Sequence, residues 1–120
     1  MKINRAAIIA FALALSSSVA AAAASFNTVT FKLYIEPKDD AEQQLNSIYL
    51  SGVSDGLLAA NGLLQSEGKL RIFCPPPTFA LTGGQAEDIL KRSAQDVPKS
   101  DEMPIAVLLV AGLKSRFPCH

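Results

Sequence analysis

Residues 39–68 read DDAEQQLNSIYLSGVSDGLLAANGLLQSEG, and apolar positions recur in them at Leu45, Ile48/Tyr49, Gly52/Val53, Gly56/Leu57, Ala60 and Leu63/Leu64. Steps of three and four residues draw one stripe along an α-helix and hold it for about five turns. Asp39 or Asp40 offers an oxygen to the first free N–H groups, and Glu42 suits the positive end of the helix dipole. Gly68 stands where a left-handed residue closes a helix. Tyr49, Gly52 and Gly56 fall on the stripe, and each glycine costs about 1 kcal/mol relative to alanine. Their presence implies either that another helix backbone approaches closely there or that the helix kinks.

Downstream, Lys69 to Phe73 is a short β-prone piece, and Cys74-Pro75-Pro76-Pro77 forbids helix and holds the chain extended as a rigid surface loop. Thr82-Gly83-Gly84-Gln85 has the spacing of a capping box. Ala86, Ile89, Leu90, Ser93/Ala94 and Val97 then continue the face of a second helix, which should end before Pro98. A third helix is expected from Ser100 or Asp101, with Pro104 in its first turn and Lys114 and Arg116 at its negative end. Its Ile105 to Leu113 run is apolar nearly all round, the mark of a buried central helix. Phe117-Pro118-Cys119 terminates it. The fold expected is all-α, a bundle of three to four helices over residues 39–120.

Upstream, Lys2 and Arg5 precede the apolar run Ala6 to Leu15, then Ser16 to Ser18 and the small residues Val19 to Ala24. That three-part layout is a secretory signal over residues 1–24, cleaved near Ser25. A bilayer core needs roughly 20 apolar residues, more than this run supplies before its serines. In Ser25 to Ile35, Val29, Phe31, Leu33 and Ile35 alternate with Thr28, Thr30, Lys32 and Tyr34, so residues 25–38 are expected as an extended arm stopped by Pro37. The arm lies on the domain, lies on a partner, or is a free leader.

The chain has 120 residues, 11 Lys+Arg against 11 Asp+Glu, one His and two Cys. That is one small domain. Zero formal charge with no long basic run removes the footprint that nucleic-acid binding requires, and no partner of that kind is expected. One terminal His120 and two cysteines cannot furnish a three- or four-ligand metal site, and no cofactor motif is present. Ser47, Ser51 and Ser54 have no His partner, Asp55 lies on the first long helix, and the polar residues converge nowhere, so no catalytic residues are expected. An exported chain meets oxidising conditions, and Cys74 and Cys119 are expected to pair, two free thiols or an intermolecular bridge being the alternatives. Closing a loop of 45 positions stabilises by about 3 to 4 kcal/mol in the chain-entropy model.

Tyr49 to Leu58 (YLSGVSDGLL), Phe73-Cys74-Pro75-Pro76-Pro77, the Gln85-led helix, and Ala106 to Leu113 closing on Phe117-Pro118-Cys119 together resemble the Rap/Tai family. The likeness runs from about Leu45 to Cys119. It implies an all-α, non-enzymatic, periplasmic immunity protein that blocks the active-site cleft of a peptidoglycan amidase delivered by type VI secretion. It also admits a homodimer. Many members carry a further cysteine pair around the first helix, which this chain lacks. A preorganised loop loses little entropy on docking, which makes Pro75, Pro76, Pro77, Thr78 and Phe79 the candidate contact. A second reading folds Phe79 and Leu81 back as closure between helices. Rival functions are a periplasmic chaperone or stress protein, for which one His offers little to titrate, and a structural subunit of an envelope complex using the arm for strand addition.

Overall fold

A computed structural model describes residues 29–120. The leader expected over residues 1–24 and the first part of the arm lie outside them. Among the described residues there are four α-helices, α1 (Phe31–Ile35), α2 (Asp40–Ser66), α3 (Gly83–Asp96) and α4 (Ile105–Arg116), with a 3-10 turn at Ser100–Glu102. The all-α expectation holds.

The ends of α2 form as the sequence dictates. Asp39 accepts a hydrogen bond from the Glu42 N–H at 2.8 Å, and Glu42 reaches back to the Lys38 N–H. At the other end Gly68 adopts φ +67°, while Lys69 N–H donates to Leu64 O and Gly68 N–H to Gln65 O. This pair of bonds satisfies carbonyls that the helix would otherwise leave open. At the start of α3, Thr82 and Gln85 exchange both bonds of the capping box.

α3 and α4 form the closest pair, and α2 packs across both. Phe73, Leu90, Ile105, Leu108, Leu109 and Leu113 are fully buried between them. α4 supplies four of these six, which is the central role its apolar run implies. The close backbone approach occurs at Gly112, where an added Cβ would lie 2.7 Å from Ile89 Cγ2 and 3.1 Å from the Ile89 carbonyl oxygen.

Three expectations need correction. Gly52 and Gly56 do not receive a neighbouring helix: an added Cβ on either would meet nothing within 4 Å. The face of α2 that turns inward carries Asn46, Leu50, Ser54 and Asn61, with Val53, Leu57 and Leu58 beside them, while Leu45, Ile48 and Leu63 stay exposed. The broad apolar stripe covered both sides of the helix, and the packing neighbours took the side marked by Leu50. Tyr49 lies at the margin, half-buried against the core.

The extended arm is also revised. Thr30 is extended and forms an isolated antiparallel bridge with Pro104, but Phe31–Ile35 is a helical turn. A strand there would need a ladder, and Pro104 has no N–H while α4 begins one residue later. The backbone closes locally instead, Tyr34 N–H donating to Thr30 O. Phe31 and Tyr34, three apart, then pack on the core, so the arm docks on its own domain.

The third expected helix starts later than Ser100 or Asp101. Met103 is extended at ψ 141°, Pro104 is the N-cap, and α4 begins at Ile105. A residue preceding proline is sterically driven out of the helical region, which separates the 3-10 turn from α4.

These placements predict opposite outcomes for two kinds of glycine. Gly112→Ala is expected to lower stability by about 1 to 3 kcal/mol through overpacking against Ile89. Gly52→Ala and Gly56→Ala are each expected to raise it by up to about 1 kcal/mol. Urea unfolding midpoints measure all three.

Candidate functional site

The end of the molecule where α4 finishes is assembled around residues 69–81, which have no regular structure of their own. A backbone without a ladder must find other partners. Asn61, buried on α2, provides them: its Oδ1 accepts from Ile72 N–H at 2.8 Å and Phe73 N–H at 3.3 Å, and its Nδ2 donates to Phe73 O at 2.8 Å. Phe73 is thereby held with its ring in the core. The next residue, Cys74, donates its N–H to Phe117 O at 2.8 Å and forms the disulfide with Cys119, the Cα atoms 5.0 Å apart. The expected bridge is present.

Past the disulfide, Phe79 N–H donates to Pro76 O, closing a turn over Pro77 and Thr78. The Phe79 ring packs on Phe117 with centroids 4.5 Å apart and planes tilted by 55°. Tilted contact suits the aromatic quadrupoles better than a face-to-face stack. Arg116 lies over the same Phe117 ring, its guanidinium carbon 5.7 Å from the centroid. Leu81 packs against the core, and the capping box at Thr82 and Gln85 fixes where the loop passes into α3. The result is a loop anchored at Asn61, at the disulfide, at Phe117 and at Thr82. Pro76, Pro77 and Thr78 face solvent, while Pro75 and Phe79 are half-buried.

Of the residues singled out in the sequence, Cys74, Pro75, Pro76, Pro77, Thr78, Phe79 and Cys119 share this one end. Tyr49, Gly52 and Gly56 lie apart from it on α2. Sequence reasoning missed Asn61. Its signal was an amide in helical register with Leu50, Leu57 and Ser54 on an apolar face, where a polar side chain persists only with partners. Asn46, one step of the same pattern toward the N-terminus, donates to Leu33 O at 3.1 Å and so secures α1.

A concavity of about 530 Å³ lies where α1 meets α2 and α3, lined among others by Tyr34, Asp40, Gln43, Ser47, Glu87 and Lys91. Burial, with the Glu87 carboxylate adding to it, holds the Tyr34 phenol above its usual range, so it remains a neutral donor at physiological pH. Glu87 and Lys91 pair across one turn of α3 at 2.6 Å. This wall offers hydrogen bonds of mixed polarity. Among the described residues no group of three or more His, Cys, Asp or Glu side chains could hold a metal ion, and no helix is long and apolar enough to cross a membrane.

The fold and its pinned loop define a class: a small disulfide-fastened all-α module. The family model for Rap1a immunity proteins matches residues 19–119, and the chain belongs to that family. No curated protein and no solved structure matches it.

Asn61→Ala is expected to leave buried backbone groups of Ile72 and Phe73 without partners and to cost about 2 to 4 kcal/mol by chemical denaturation. Replacing Cys74 and Cys119 together by alanine is expected to cost about 3 to 4 kcal/mol, read as a lower melting temperature that dithiothreitol reproduces in the native chain.

Proposed function

We propose that this immunity protein is exported to the periplasm, where it binds a peptidoglycan amidase delivered by type VI secretion and occludes its active-site cleft. Family membership supports the existence of an effector partner. The amidase and the compartment are our reading, drawn from the likeness of YLSGVSDGLL and the FPC ending and from the layout of residues 1–24.

The observation that carries the mechanism is the loop from Cys74 to Thr82. Blocking a cleft needs a protrusion whose shape is set before contact, because ordering each residue on binding subtracts from affinity. Here covalent, hydrogen-bonded and aromatic anchors act within nine residues, and the solvent-facing tip is Pro76-Pro77-Thr78. Phe79 shapes the loop by packing on Phe117. Truncating it would move affinity and stability together, so the exposed tip gives the cleaner test.

The experiment directs candidate amidase effectors to the periplasm of a sensitive bacterium. Co-production of the full chain is expected to restore growth, and the chain lacking residues 1–24 is expected not to. Pro77→Glu and Thr78→Arg should weaken the purified complex by roughly tenfold or more, as loss of a central contact does, with the melting temperature unchanged. Tight binding that both variants leave intact would move the contact off this loop. Failure of every amidase to bind would remove the target class.

A further inference from the structure

The short piece between α2 and the disulfide carries a leucine that the fold leaves outside. Leu70 is 90% exposed, more than any other large apolar residue among those described. Slack in the chain is not the cause. Lys69 N–H donates to Leu64 O at 2.8 Å on one side of it, and Ile72 N–H donates to Asn61 Oδ1 at 2.8 Å on the other, so both flanks are tied to α2. A side chain held out in water by backbone anchors is already placed for docking, and little order is lost when it binds. Single exposed leucines are ordinary, so the setting of this one decides its meaning.

The setting is cationic. Lys69 and Arg71 flank Leu70, and Lys114 and Arg116 close α4 at the same end of the molecule, where Cys119 Sγ lies 3.7 Å from Arg71 O and Cys74 N–H bonds to Phe117 O. Among the described residues the ion pairs are Lys69 with Glu67 and Lys91 with Glu87, which leaves Arg71, Lys114 and Arg116 without a carboxylate. The helix dipole accounts for Lys114 and Arg116, since they lie in the last turn of α4. Arg71 belongs to no helix and has no such reason to be there.

The opposite end has the other sign. Asp39, Asp40 and Glu42 open α2, and Asp101 and Glu102 stand in the 3-10 turn before α4, outnumbering Lys32, Lys38 and Lys99 in the same region. The domain is therefore a charge dipole, positive where α2 and α4 finish and negative where they begin. In the field of an acidic surface such a molecule turns its proline loop and Leu70 forward before contact. A basic rim around one apolar knob, beside a loop fixed in shape, matches an apolar recess bordered by carboxylates on a protein, and arginine is the cation enriched at such interfaces. A lipid surface fits less well. Holding to it takes a broader apolar face or a denser basic cluster than one leucine with cations spread over two segments supplies.

We infer that Leu70 is an apolar anchor for the effector, seated in a recess whose rim is acidic, with Arg71 and Arg116 facing that rim and the proline loop docking alongside. The inference rests on the reading that this end of the molecule blocks an amidase effector, and it adds the chemistry of the surface met there. Leu70 holds the complex together, and Arg71 steers its formation.

The test uses the full chain with its disulfide formed and a purified, catalytically inactive amidase effector whose toxicity that chain relieves. Leu70→Ala should raise the dissociation rate roughly tenfold and leave the association rate unchanged, as removal of a central apolar contact does. Arg71→Glu should slow association by roughly threefold or more at low salt, with the difference from the native chain shrinking as salt screens it. Leu70→Met should keep the native rates. Both Leu70 variants should melt with the native chain, because a side chain 90% exposed has little to lose inside the monomer. Native kinetics in either Leu70→Ala or Arg71→Glu overturn the inference, while the effector reading stands on the native chain's binding. A native chain that relieves no amidase overturns the inference and that reading together. Vesicles of equal parts phosphatidylglycerol and phosphatidylethanolamine supply the other anionic surface. Sedimentation of the native chain with them, lost in Leu70→Ala while effector affinity is kept, overturns the protein recess in favour of a membrane.

Discussion

A single buried amide holds together the end of this protein at which α4 finishes. Asn61 commits both its oxygen and its nitrogen to the backbone of Ile72 and Phe73, substituting for the sheet partner that this short extended piece lacks. In a dry interior such bonds are costly to lose, and three of them on one side chain fix the position of the segment as firmly as a strand pairing would. The distal part of the loop depends on that position. Phe73 enters the core, Cys74 comes level with the end of α4, and the disulfide becomes geometrically available.

Local rules read from sequence were dependable where they involved neighbouring residues. The cap at Asp39, the closing glycine at Gly68 and the box at Thr82 and Gln85 all formed, because each depends on a few consecutive dihedrals and little else. The buried character of α4 was legible too, since a segment apolar all round has few places to go. The disulfide was legible from cysteine arithmetic and setting.

The orientation of α2 was not legible, and the reason is physical. Its sequence is apolar over more than one face, so periodicity alone leaves the inward side undetermined. The core-facing side carries Leu50, Val53, Leu57 and Leu58 but also buried Asn46, Ser54 and Asn61, whose side chains bond to the carbonyls of Leu33, Leu50 and Phe73. Residues 31–35 failed for a related reason. Alternation favoured a strand, but a strand needs a second segment to pair with, and the chain beside Pro104 had none to offer. Phe79 was ambiguous at both levels: its ring is committed to Phe117 while the loop it braces remains at the surface.

The bridge from Thr30 to Pro104, with Ile105 N–H bonded to Val29 O, also decides where the polypeptide enters the fold. That point is the start of α4, whereas the proline loop sits at its finish, and 12 residues of helix separate the two by about 18 Å. Val29 therefore stands at the opposite end of α4 from the proline loop. A change made at Val29 or Thr30 thus reaches the loop only through the length of α4.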